Sequence, residues 1–240
     1  ATAIAVGRNL AKVPVVVGVC HGFVGNRMLS ARGIESERLL LEGALPQQVD
    51  GALVEFGFPM GPFAMGDLAG LDVGWRNRKS LGVKAEIADA ICEAGHFGQK
   101  TGQGFYLYEA GSRAGKPSPE VEKLITEASA RHGIKRREIS KQEIIERLIY
   151  PMINEGARVL EEGIAQRPGD IDVIWIYGYG FPAWRGGPMY YADSVGLAVI
   201  RARLGELAKT SGDSRHTPAA LLERLANEGA TFASLSASKA

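Results

Sequence analysis

The chain's 240 residues suffice for one large domain or two small ones, and an apolar content of 45% rules out disorder over most of its length. Its 28 Lys and Arg against 27 Asp and Glu leave a net charge of +1, which gives no electrostatic footprint for nucleic acid. No apolar run approaches the roughly 20 residues of a membrane-spanning helix, and Cys20 and Cys92, with no CxxC and four scattered histidines, offer neither a disulfide framework nor a metal site.

In chain order, Ala1–Lys12 reads as a helix, and an opening in mid-helix, without Met or a basic signal-peptide region, is how a fragment begins. The β-branched run Val13–Val19 reads as a short strand ending at a turn on Gly22. From Phe23 the apolar period becomes helical: Met28, Leu29, Leu39, Leu40 and Ala44 fall on one face of a long helix. Pro46 fits the start of another, and Pro62–Leu71 and Lys84–Glu93 read as further helices. Gly95–Gly104 reads as loop, Phe105–Tyr108 as a short strand or extended arm, and Ala110–Pro119 has linker composition. Helices are then expected over Pro119–His132, Ser140–Gly163, Gly169–Tyr177, Pro188–Leu204 and Pro218–Asn227. Ser140-Lys-Gln-Glu143 has the form of a capping box, and the Ser- and Ala-rich stretch from Ala230 is expected to fray.

Self-comparison is the most informative step. A shift of 120 lays Arg27–Gly43 on Arg147–Gly163 without a gap, with six of seventeen positions identical, where ordinary residue frequencies give about one. After short insertions Asp50 meets Asp172, Gly57-Phe-Pro59 meets Gly180-Phe-Pro182, and Gly61-Pro62 meets Gly187-Pro188. Asp67, Gly70 and Leu71 then meet Asp193, Gly196 and Leu197. This pattern predicts a tandem duplication of a helical unit, folded as a covalent pseudo-dimer. Features shared by both halves, such as Arg27/Arg147, Glu42/Glu162 and Asp67/Asp193, lean towards ion pairs and helix caps. Features of one half are the functional suspects, foremost Gly22-Phe-Val-Gly-Asn26, since Glu146 takes the place of Asn26 in the second half.

The chemistry of that segment stays open at this level. Gly18, Gly22 and Gly25 do not fit GxGxxG and no Walker Lys-Ser/Thr follows, so a phosphate loop is a weak reading. Asn26 suits a helix cap, or an amide that donates and accepts at a reacting oxygen. Cys20-His21 lacks a third orienting group for a thiolate–imidazole pair. The acidic pairs Glu161/Glu162 and Asp170/Asp172 read as solvated or capping, and the aromatics Trp175, Tyr177, Tyr179, Phe181 and Trp184 as packing or, alternatively, a ligand wall.

Several stretches resemble the C-terminal region of 3-hydroxyacyl-CoA dehydrogenases: Lys12–Met28, Gly57–Phe63, Asp67–Gly74 and Phe97–Tyr106 in the first half, with Glu146–Glu155, Arg167–Ile174, Gly178–Pro182 and Gly186–Met189 in the second. Two such domains in tandem look like the end of a multifunctional enzyme of fatty-acid β-oxidation, of the peroxisomal bifunctional type and its bacterial relatives, in which an enoyl-CoA hydratase is joined to the dehydrogenase. The resemblance implies a mainly α fold: 1–20 as the closing helix and strand of a dinucleotide-binding domain, 21–112 as the first helical domain, 113–139 as linker and first helix of the second unit, 140–230 as the second helical domain, and 231–240 as a flexible tail.

The implied reaction is NAD-dependent oxidation of an L-3-hydroxyacyl-CoA to the 3-oxoacyl-CoA. NAD and the catalytic His–Glu pair would belong to a preceding Rossmann domain outside this chain. This chain would bind no cofactor or metal, and alone would be inactive. The family's active-site Asn falls at Asn26, with Gly22 and Phe23 as substrate-side neighbours, while His21 stands where relatives carry an acidic or small residue. A purely structural pseudo-dimerisation module is the alternative, and an independent acyl-CoA-binding module a third reading, disfavoured by the lack of a basic cluster for the CoA phosphates. The expected partners are the acyl-CoA substrate, the Rossmann domain and a fused hydratase, with no nucleic acid, no membrane and a monomeric state. The C-terminal Ser238-Lys-Ala240, which is not Ser-Lys-Leu, and the two thiols lead to the expectation of a bacterial cytoplasmic protein.

Overall fold

The structure, a computed structural model, describes residues 1–112 and 114–237. It is mainly helical: α1 (Thr2–Asn9), α2 (Phe23–Glu42), α3 (Pro46–Phe56), α4 (Pro62–Ala69), α5 (Leu71–Leu81), α6 (Glu86–Glu93), α7 (Pro119–Arg131), α8 (Lys141–Glu161), α9 (Pro168–Tyr179), α10 (Pro188–Val195), α11 (Leu197–Ser211), α12 (Ala220–Glu228) and α13 (Ser234–Ala237). Two strands, β1 (Tyr106–Leu107) and β2 (Lys116–Pro117), pair antiparallel, so the stretch with linker composition is tied down by a ladder.

The chain forms two compact units, one from Ala1–Arg32 with Glu146–Ala240, the other from Gly33–Ile145. The division falls inside α2 and near the start of α8, not at the expected linker, and α7 belongs with α2's C-terminal turns and α3–α6 instead of opening the second unit. The reason lies along α2. Its early residues Val24 and Met28 are buried in the first unit, where the indole Nε1 of Trp175 donates to the Met28 sulfur at 3.2 Å, while Leu39 and Leu40 are buried in the other.

In the Gly33–Ile145 unit, Leu53, Phe63, Ile87, Phe105 and Ile125 lie in the core. Two buried aspartates organise the loops. Asp50 accepts from the amides of Phe63 (3.0 Å) and Ala64 (2.9 Å) at the start of α4 and from the Tyr106 hydroxyl (2.8 Å). Asp67 accepts from the amides of Phe105 (2.9 Å) and Tyr106 (3.0 Å) and from the Tyr108 hydroxyl (2.9 Å). Burial outweighs these bonds and holds the Asp67 carboxyl up at about 6.

The other unit repeats this wiring. Asp172 accepts from the amides of Met189 (2.7 Å) and Tyr190 (3.4 Å) at the start of α10, and Asp193 from those of Phe232 (2.7 Å) and Ala233 (3.0 Å). Burial raises both carboxyls, Asp172 to about 7. The Gly-Pro pairs follow from these caps: a Cβ at Gly61 would strike the Asp50 carboxylate, and one at Gly187 would lie 2.6 Å from Asp172 Cγ. Trp175, Met189, Ile200, Leu204 and Leu222 fill this unit's core.

Four expectations need correction. Val13–Val19 is extended but belongs to no strand among the described residues; apart from the Gly18 amide bond to the Ile164 carbonyl at 2.7 Å, no ladder forms, since β-branched propensity makes a strand only beside a partner. Leu71–Leu81 is helical where no element was expected. Pro188–Leu204 is two helices broken at Gly196, whose φ of 98° the preceding helix cannot continue. The stretch from Ala230 is anchored at Phe232, which is fully buried and whose amide is capped by Asp193. Ser238–Ala240 of the expected tail lie outside the described residues.

Candidate functional site

The turn into α2 is made by Gly22 (φ 72°) and Phe23 (φ 50°). A phenylalanine in the left-handed region costs of order 1–2 kcal/mol, yet its side chain gains little from burial, being 55% exposed. Ala11, the other non-glycine residue with positive φ among the described residues, lines the same cleft as this turn. This cleft, of about 610 Å³, is formed within one compact unit by the extended segment Ala11–Val17, the turn Gly22–Asn26 and the α9 residues Val173, Ile174 and Tyr177–Tyr179.

Its walls are apolar apart from Lys12, the tyrosine hydroxyls and the side chain of Asn26. Asn26 sits in the first turn of α2, three residues inside the helix, so it is not the cap. Its side chain is exposed, and its Oδ1 accepts from the Tyr179 hydroxyl at 2.7 Å. Gly25 makes that bond possible: a Cβ there would stand 2.5 Å from Tyr179 Cζ and closer still to the hydroxyl. Tyr179 also packs at a tilt against the fully buried Trp175, with ring centroids 4.8 Å apart. Burial raises the Tyr179 phenol above its ordinary value, so it stays a donor at neutral pH.

Next along α2, Arg27 donates to Glu155 and, through two nitrogens, to Glu162. The Glu162 bond is the largest cause that raises the guanidinium, and Arg27 in turn lowers the Glu162 carboxyl. The repeated residues are thus structural here: Arg27 and Glu162 form an ion pair, Glu42 pairs with Arg137, and Asp67 and Asp193 cap loops.

The remaining candidates separate. His21 is exposed, and the Cys20 thiol lies against Arg27. Glu161 accepts from the Leu221 amide, and Asp170 pairs with Arg167. Of the aromatics, Trp175 and Phe181 are core, Trp184 is 72% exposed, and Tyr177 and Tyr179 line the cleft. Tyr179 as the partner of Asn26 was not foreseen; the only signal was its place in the aromatic cluster. Among the described residues no group of three His, Cys, Asp or Glu is placed to hold a metal ion, and no helix is long and apolar enough to cross a membrane.

An apolar cleft with one exposed carboxamide can hold an acyl chain and hydrogen-bond an oxygen. Its lining brings no carboxylate or imidazole to move a proton.

Comparison with known proteins agrees with the fold. The model of the 3-hydroxyacyl-CoA dehydrogenase C-terminal domain matches residues 22–108 and 144–233, and the chain belongs to this family. It is 46% identical to the peroxisomal bifunctional enzyme of Danio rerio, over 95% of this chain and 35% of that protein, and 43% identical to that of Homo sapiens, over 95% and 34%. In structure it is similar to the dehydrogenase part of multifunctional enzyme 1 from C. elegans, with a TM-score of 0.75 and 33% identity over 93% of this chain and 52% of that one. The chain thus spans about a third of the length of the curated relatives it matches.

These relatives overturn the expectation of a bacterial cytoplasmic protein. Those at 43–46% identity are named peroxisomal and are eukaryotic, while a bacterial relative, the fatty acid oxidation complex subunit alpha of Shewanella amazonensis, matches at 40%. The expectation rested on a thiol count and on Ser238-Lys-Ala240; a C-terminal address is read by a receptor and leaves no mark on the fold, so its absence carries no compartment.

Proposed function

We propose that the chain is the C-terminal part of an NAD-dependent L-3-hydroxyacyl-CoA dehydrogenase of fatty-acid β-oxidation, and that Asn26 is its contribution to the active site. The supporting observation is the exposed Asn26 carboxamide at the mouth of an apolar cleft, oriented through its Oδ1 by Tyr179. With Oδ1 engaged, Nδ2 is directed to donate to the hydroxyl or thioester oxygen of a 3-hydroxyacyl-CoA as charge develops there. Gly22 and the strained Phe23 shape the rim against which the acyl portion lies, and Val13, Val15 and Val17 with Ile174 form its apolar wall.

NAD and the base that takes the hydroxyl proton, a His steered by a Glu, are assigned to a Rossmann domain in the longer protein, for which Ala1–Val19 would form the closing segment. NAD supplies the hydride acceptor when bound there. On this reading the chain alone neither binds NAD tightly nor turns over substrate. The family match in two segments, and the recurrence of the aspartate caps at Asp50/Asp172 and Asp67/Asp193, support a tandem duplication of the helical unit. A fused enoyl-CoA hydratase follows from the resemblance to multifunctional relatives.

The same duplicated wiring favours a second reading, a structural module with all chemistry elsewhere. Asn26→Ala in the complete enzyme separates the two. Loss of an oxyanion donor lowers turnover by roughly 10²–10³, and the unfolding midpoint should stay put because Asn26 is exposed. Normal turnover with a lowered midpoint would establish the structural module.

A further inference from the structure

Asn26 and Tyr179 are 153 residues apart and fall in different family-matched segments, 22–108 and 144–233. Three features build their contact. Gly25 leaves the space that Tyr179 fills; the Tyr179 ring packs at a tilt against Trp175, which is itself held by the Met28 sulfur one turn beyond Gly25; and the phenol meets the side-chain amide oxygen of Asn26 at 2.7 Å. The arrangement also fixes which end of the carboxamide faces the cleft, because the phenol occupies the acceptor and leaves the donor outward.

We propose that Tyr179 is a positioning residue for the dehydrogenase reaction, holding Asn26 with Nδ2 toward the substrate oxygen, so that the second matched segment helps to set the active site. This rests on the reading that Asn26 meets the substrate. Asn26 is the group in contact with substrate; Tyr179 acts through it.

The test is a double-mutant cycle in the complete enzyme, with a 3-hydroxyacyl-CoA and NAD as probes. Tyr179→Phe keeps the ring contact with Trp175 and removes only the hydroxyl. Loss of one neutral hydrogen bond predicts a kcat lower by roughly two- to twelve-fold, with little change in KM and a fall in the unfolding midpoint of no more than about 5 °C. In an Asn26→Ala background the same substitution should cost nothing further, a result that a purely structural role would not produce. An equal loss in both backgrounds, or no loss in either, overturns the positioning role while leaving Asn26 as the site residue. If Asn26→Ala alone leaves kcat unchanged, the functional reading fails and this inference falls with it.

Discussion

Gly25→Ala and Gly33→Ala are the same substitution on the same helix, α2, and the structure gives them opposite signs. In a helix interior alanine is favoured over glycine by about 0.8–1.0 kcal/mol. At Gly33 a new Cβ meets nothing within 4 Å, so the whole gain is realised, worth roughly 2–4 °C in Tm for a chain of this length. At Gly25 the Cβ would stand 2.5 Å from Tyr179 Cζ, where carbon–carbon contacts settle near ~3.5–4.0 Å. The ring must therefore withdraw by about 1 Å or more, costing ~1–3 kcal/mol for overpacking, and its bond to Asn26 is broken. The sum is a net loss of up to ~2 kcal/mol, and in the complete enzyme a loss of turnover that Gly33→Ala does not share. Thermal unfolding of both variants beside the parent decides the matter. Equal rises in Tm would show that the ring does not occupy the space opposite Gly25, and would remove the basis for its role.

Other outcomes follow from the caps and the core. Phe232→Ala, at a fully buried site near the end of the described chain, should cost ~3–5 kcal/mol in denaturant unfolding; a loss below ~1 kcal/mol would mean that this stretch frays after all. The Asp172 carboxyl, raised to about 7 by burial, ties stability to pH. The folded protein binds that proton more tightly than the unfolded chain, so its contribution is full below the ordinary Asp value of 3.8 and is lost as pH rises through about 7. Asp67, at about 6, acts in the same sense. Glu162, lowered by Arg27, acts in the opposite sense, but only below the ordinary Glu value of 4.5. Between pH 5 and 7, Asp172→Asn should therefore flatten the fall of stability with rising pH, by at most ~1.4 kcal/mol per pH unit. An unchanged slope would show that the carboxylate stays ionised in the folded protein.

The long helices and the paired aspartates were legible because they are written in local patterns: apolar spacing, Gly-Pro starts and a repeat at a shift of 120. What was not legible depended on partners far along the chain. Val13–Val19 has the composition of a strand but pairs with no other strand among the described residues. Leu71–Leu81 carries Trp75-Arg76-Asn77-Arg78-Lys79, too polar to show an apolar face, although the match of Gly70 and Leu71 to Gly196 and Leu197 held the clue. Both glycines have φ near 95° and end one helix as the next begins. Asn26 could be singled out as the residue unique to one half, but its cap reading failed because α2 begins three residues earlier. Its link to Tyr179 spans 153 residues and leaves no local trace.

The division of the chain also bears on how it could ever be cut. Each compact unit draws on both sides of the stretch 110–118: the one built largely from the later half needs Ala1–Arg32, and the other needs the opening of α8. A nick in that stretch would leave two peptides, neither holding a whole core, each displaying the apolar faces that its missing portion normally covers. Such a chain is indivisible in its folding, and shortening it at that stretch would remove part of whichever unit was meant to be kept.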